Sequence, residues 1–127
     1  MSFATTINCM DGRVQTCVNE YVRKRFGVDY VDVITEAGPV AVVADRPESP
    51  EMASIVKRLG VSVDKHASVG VALVAHHDCA GNPVDEATQR EQLERAVAAL
   101  KDRRPQLPVT GLWVNAEWKV EETLSVP

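Results

Sequence analysis

The amino-acid sequence predicts an α/β fold: three α/β/α layers around a central, mostly parallel sheet. Three observations point there. Short β-branched runs alternate with longer segments whose apolar residues recur at helical spacing. Residues 68–75 (Ser-Val-Gly-Val-Ala-Leu-Val-Ala) form a nearly continuous apolar run, as a strand covered on both faces requires. Residues that start and stop helices stand between the runs. Right-handed βαβ crossovers then give a parallel sheet, for which an order of about 2-1-3-4 is expected, with the C-terminal tail available as a fifth, edge strand.

The elements follow in order. Residues 4–8 (Ala-Thr-Thr-Ile-Asn) read as a short strand. Val14, Val18, Tyr21, Val22 and Phe26 then share a helical face that Gly27 closes. Residues 30–35 (Tyr-Val-Asp-Val-Ile-Thr) suit a second strand running into a loop at Glu36-Ala37-Gly38-Pro39. Residues 40–49 open apolar and end polar, so helix, strand and lid readings all stand there. Ser49 is placed as an N-cap with Pro50 at the first helical position; Met52, Ile55, Val56 and Leu59 make an apolar face before Gly60, and His66 ends the helix near its C-terminal dipole. After the third strand, residues 85–102 form a helix with Leu93, Ala96, Val97 and Leu100 on one face. Residues 109–114 make a fourth strand and residues 118–124 an edge strand.

Composition limits the function. The 127 residues, 45% hydrophobic and 25% charged, read as one domain, residues 1–127, able to bury a core without a stabilising metal or disulfide. Eighteen acidic against fourteen basic residues, net −4, lack the basic surplus that nucleic-acid backbones demand. The longest apolar runs fall far short of the ~20 residues that span a bilayer, and the first residues carry no signal-peptide pattern. The expectation is a cytoplasmic protein with neither nucleic-acid nor membrane partners. There, three cysteines serve metals or packing more often than disulfides.

Two clusters carry the chemistry, each just past the carboxyl end of a predicted strand. Cys9-Met10-Asp11-Gly12-Arg13 follows the first strand and His76-His77-Asp78-Cys79-Ala80-Gly81 the third. In the order 2-1-3-4 these strands are neighbours at the switch point, where open α/β sheets bind ligands. Cys9, His76 and Cys79 can then meet. Two thiolates and an imidazole suit Zn²⁺, and three protein ligands leave a fourth tetrahedral position free, as in catalytic sites. Adjacent His76 and His77 would point to opposite faces, so only one binds. Such a site carries no net charge and acidifies water less than a three-histidine site, so further groups must help. Asp11 can accept a hydrogen bond from a zinc-bound hydroxide, and Arg13 can hold that carboxylate bidentately. Cys17 reads as a packing cysteine outside this set, and Asp78 and His77 as residues of the turn or pocket wall.

Cys9-x-Asp11-x-Arg13 followed by His76-x-x-Cys79 resembles the zinc site of the β-class carbonic anhydrases. The resemblance implies one Zn²⁺ per chain on Cys9, His76 and Cys79, with Asp11 and Arg13 as a dyad controlling the fourth position. It also implies reversible hydration of CO₂ to bicarbonate, and a homodimer or higher homo-oligomer. Dimerisation is expected too from two open sheet edges and from the apolar start of residues 40–49. Where those enzymes carry an Arg-Asn-Ala-Gly-Asn-like stretch, this chain has Thr35-Glu36-Ala37-Gly38-Pro39, and with Cys9 so early in the sequence their amino-terminal arm is not expected. Hydrolysis of COS or CS₂ and non-catalytic zinc or anion binding therefore stay open beside CO₂ hydration.

Overall fold

The computed structural model describes residues 1–127. Five strands form one sheet in the order β2-β1-β3-β4-β5. They are β1 (Phe3–Cys9), β2 (Tyr30–Glu36), β3 (Val71–His76), β4 (Val109–Val114) and β5 (Val120–Val126). The first four are parallel and β5 runs antiparallel against β4, so the predicted fold class and order hold. Every residue of β3 and β4 is buried, which accounts for their unbroken apolar runs.

The sheet is covered on both faces because its side chains alternate. Ala72 and Val74 of β3 join Val14, Val18 and Val22 under helix α1 (Gln15–Phe26). Val71, Leu73 and Ala75 face the other way, into a larger cluster with α2 (Pro39–Asp45), α3 (Pro50–His66) and α4 (Glu86–Arg103). The helix ends follow their signals. Gly27 takes the left-handed conformation (φ 63°) after α1, while the side chains of Ser49 and Asp85 accept the Met52 and Thr88 N–H groups.

Two sequence readings need correction. Residues 40–49 are neither a strand nor a lid: α2 occupies their start, and Val40, Ala41, Val42 and Val43 are buried. This run is apolar on all sides because it lies between sheet and helices, with Pro39 pre-set for the first turn. It is covered within its own chain, so it gives no reason for dimerisation. Helix α3 continues through Gly60 and ends at His66 as expected, since Met52, Ile55, Leu59 and Ser62 keep one buried face. The last strand begins at Val120, leaving Trp118 in the β4–β5 turn with φ 60° and its N–H on the Asn115 carbonyl.

Candidate metal centre

Cys9 is the last residue of β1 and His76 the last of β3, and these strands pair directly in parallel. The chain turns sharply after His76, through Asp78 at φ 58°, and brings Cys79 back beneath the strand ends. Cys9, His76 and Cys79 are all buried and offer one potential ligand atom each, all within 4.8 Å of one another. The two sulfurs lie 3.9 Å apart. Two thiolates on one tetrahedral zinc, at Zn–S distances near 2.3 Å, are separated by about 3.8 Å.

The imidazole is set for a ligand. His76 Nδ1 lies 2.7 Å from the His77 carbonyl, the position of an N–H donor, which leaves Nε2 with the lone pair. Nε2 is fully buried and makes no hydrogen bond. A buried imidazole nitrogen without a partner is costly in an apolar interior, and a cation held jointly with two sulfurs satisfies it. The donor set and the orphaned nitrogen together fit a zinc ion.

Electrostatics favour a thiolate here. The Cys79 thiol hydrogen-bonds Cys9 and, against burial, holds its pKa well below the usual thiol range, helped by His76 and the backbone of Gly38 and Asp11. Cys79 shifts upward in return, chiefly because its proton is shared with Cys9. Burial pulls the His76 pKa down, but the Cys9 sulfur and the His77 carbonyl outweigh it and the net shift is upward.

Asp11 and Arg13 meet as their spacing suggested. Arg13 Nη2 lies 2.7 Å from Asp11 Oδ2, and its Nε lies 3.1 and 3.2 Å from the two carboxylate oxygens. Hydrogen bonding from Arg13 holds the Asp11 carboxyl at about 2, so it is ionised and acts only as an acceptor. Asp11 also caps the single 3₁₀ turn at Gly12–Val14 by accepting the Arg13 N–H at 2.8 Å, so capping and dyad coexist. Arg13 reaches further, with Nη1 3.3 Å from Asp78 Oδ2 and Nη2 3.1 Å from the Asp78 carbonyl.

The loops around the site interlock at glycines. A Cβ on Gly81 would sit 2.6 Å from the Ala37 carbonyl carbon, and one on Gly38 would sit 2.7 Å from Asn82 Cβ. Gly38 is also left-handed (φ 63°), so Ala37-Gly38 can press against Gly81-Asn82 only without side chains there. Cys9, Met10, Asp11, Ala37, Ala80 and Gly81 line a cavity of about 470 Å³ whose surface is mostly apolar.

Other expected residues lie outside the cluster. Cys17 is half-buried on α1 with its thiol directed to the Arg13 carbonyl at 3.9 Å, one helical turn away. His66 sits at the opposite end of the sheet, and His77 is exposed with its ring edge toward Trp118. Three supporting residues escaped the sequence reading. Gln15 donates to the Cys9 and Asp11 carbonyls, buried Asn8 accepts the Cys9 N–H, and buried Gln89 donates to the His76 carbonyl. Amides flanking the first motif were the only available signal for Asn8 and Gln15; nothing local marks Gln89.

A mostly parallel sheet with a buried Cys-His-Cys group at its switch point defines an α/β protein with a metal-capable centre. The sequence matches the family described as "putative carbonic anhydrase" over residues 1–124, and the chain belongs to that family. No curated protein matches it. Among solved structures, a tetrameric β-carbonic anhydrase from Sordaria macrospora is similar at a TM-score of 0.62 and 13% identity, covering 98% of this chain and 82% of that one. The β-carbonic anhydrase CafD from Aspergillus fumigatus is similar at a TM-score of 0.58 and 14% identity, covering 98% and 90%. At these identities the likeness is one of fold.

Proposed function

We propose that this protein is a zinc-dependent carbonic anhydrase that hydrates CO₂ reversibly, with Cys9, His76 and Cys79 holding the metal. The observation that carries the reading is the buried, unpartnered His76 Nε2 beside two sulfurs, within a fold shared with β-carbonic anhydrases. Zn²⁺ held there supplies a Lewis acid that turns water into a nucleophile near neutral pH.

The chain's own residues do the rest. Cys9 and Cys79 bind as thiolates and balance the ion's charge, while the His77 carbonyl holds His76 in the tautomer that offers Nε2. Asp11, kept ionised by Arg13, offers an acceptor on the cavity wall where water must shed a proton. Met10, Ala37, Ala80 and Gly81 give that cavity few competing hydrogen bonds, which suits a small uncharged substrate such as CO₂. Oligomerisation belongs to the same proposal. Its support is the pair of exposed edges at β2 and β5, with Tyr30 and Val33 of β2 exposed, and the tetrameric state of the Sordaria relative.

The test is stopped-flow CO₂ hydration from about pH 7 to 9 on protein of known zinc content. Zinc near one per chain with fast hydration is expected. Bound zinc with no hydration overturns the CO₂ reading, and COS turnover on the same sample separates a hydrolase from a binding protein. A monomer by light scattering at micromolar concentration would remove the oligomer.

A further inference from the structure

Three non-glycine residues adopt a left-handed backbone: Ala67, Asp78 and Trp118. Ala67 ends α3 and needs no other explanation. The other two lie 40 positions apart in the sequence, yet both touch the Arg13 guanidinium. A bulky aromatic residue in this region is strained and persists only where its surroundings impose it.

The surroundings of Trp118 are well defined. Asn115 Oδ1 accepts the N–H groups of Glu117 and Lys119, its carbonyl accepts the Trp118 N–H, and its amide reaches Glu121. This turn throws the indole back across the end of the sheet, where the Arg13 guanidinium carbon lies 4.4 Å from the ring centroid. The guanidinium is thus held on three sides: Asp11 along one edge, Asp78 along another, and the indole against its face. These contacts are unequal. Asp78 is largely exposed, so its ion pair is screened and weak. The indole is half-buried, and its face lies over the guanidinium, a contact that adds to the Asp11 pair.

We propose that Trp118 is a positioning residue of the metal centre: by stacking on Arg13 it fixes the guanidinium against Asp11 and so orients the Asp11 carboxylate. The β4–β5 turn, distant in sequence from both motifs, is then part of the site. The inference rests on the reading above for its catalytic consequence, but the placement of Arg13 is measurable without turnover.

The test uses zinc-loaded protein and the Arg13 Nε–H signal in ¹H–¹⁵N NMR. In the parent chain that proton is expected to exchange slowly, because it is held on the Asp11 carboxylate beside the indole. In Trp118→Leu it should exchange about tenfold faster as the guanidinium loosens from Asp11, with kcat for CO₂ hydration down about tenfold and KM nearly unchanged. Trp118→Phe restores an aromatic face and should return both readouts to within about threefold of the parent. A parent Arg13 Nε–H that exchanges as fast as that of a free arginine overturns the proposal whether or not either variant folds. So does a Trp118→Leu protein whose Arg13 Nε–H exchanges as slowly as the parent's, or a Trp118→Phe protein as impaired as Trp118→Leu. If the parent hydrates no CO₂ while the Arg13 signal behaves as expected, the function reading fails and the positioning role stands.

Discussion

The two ends of the sheet carry clusters of similar residue types and opposite character. At the amino end, Ser62 lies 2.6 Å from Thr5, Ser68 and Asp32, and His66 Nδ1 lies 2.7 Å from the same Asp32 carboxylate. Serine, histidine and aspartate together suggest nucleophilic catalysis, but the geometry does not. Asp32 stands between Ser62 and His66, so the imidazole cannot take the serine proton, and its ring stacks on Phe3 at 4.2 Å. The single Ser62 proton goes to Asp32, so Thr5 and Ser68 must donate to Ser62, and the network closes on itself. At the carboxyl end, His76 Nε2 is left without a partner between two sulfurs. Residue types alone do not separate a structural cluster from a site; an unpartnered imidazole nitrogen set beside two buried sulfurs does.

That contrast breaks most visibly at the thiols. Cys79→Ser is expected to lower zinc from about one per chain to near zero, while Cys17→Ser stays zinc-replete by elemental analysis. Equal loss in both would erase the distinction between ligand and packing cysteine. Asp11→Asn should retain zinc but lose about 100-fold in CO₂ hydration, because the amide no longer offers an ionised acceptor. Full activity would reduce Asp11 to a cap.

The amino end should respond in the opposite currency, stability without function. Ser62→Ala strips partners from Thr5, Ser68 and Asp32 and should cost about 1–3 kcal/mol in urea unfolding, with zinc content and hydration unchanged. A loss of zinc there would show that the two ends are coupled. The smallest effect is a matter of pH. Asp11 is held at about 2 in the folded chain, below its ordinary value of 3.8, so its ionised form stabilises the fold fully above that value. The contribution fades as pH falls toward 2. The stability gap between the parent and Asp11→Asn, measured by urea unfolding, should therefore be flat above about pH 5 and close below it. A gap independent of pH would mean that the Arg13 contact contributes nothing to stability.

Much of this was legible in one dimension. Alternation of strand and helix patterns, with Gly27, Ser49 and Asp85 as punctuation, was enough for the elements of a mostly parallel sheet, because periodicity and capping are local properties of the chain. Residues 40–49 resisted because a short, wholly apolar run has no period that distinguishes a buried helix from a strand; burial on every side decided it. The three residues of the Cys-His-Cys group were readable because thiols and an imidazole at two strand ends have few other uses.

The sequence by itself determined the alternation of strands and helices outside residues 40–49 and the residue types at two strand ends that can hold a metal. Only the tertiary structure decided how that group is held. Gly38 against Asn82, Gln89 on the His76 carbonyl and Trp118 on Arg13 each join residues far apart along the chain. No local spacing encodes such contacts, since close packing across a folded interior depends on where every neighbouring element comes to rest.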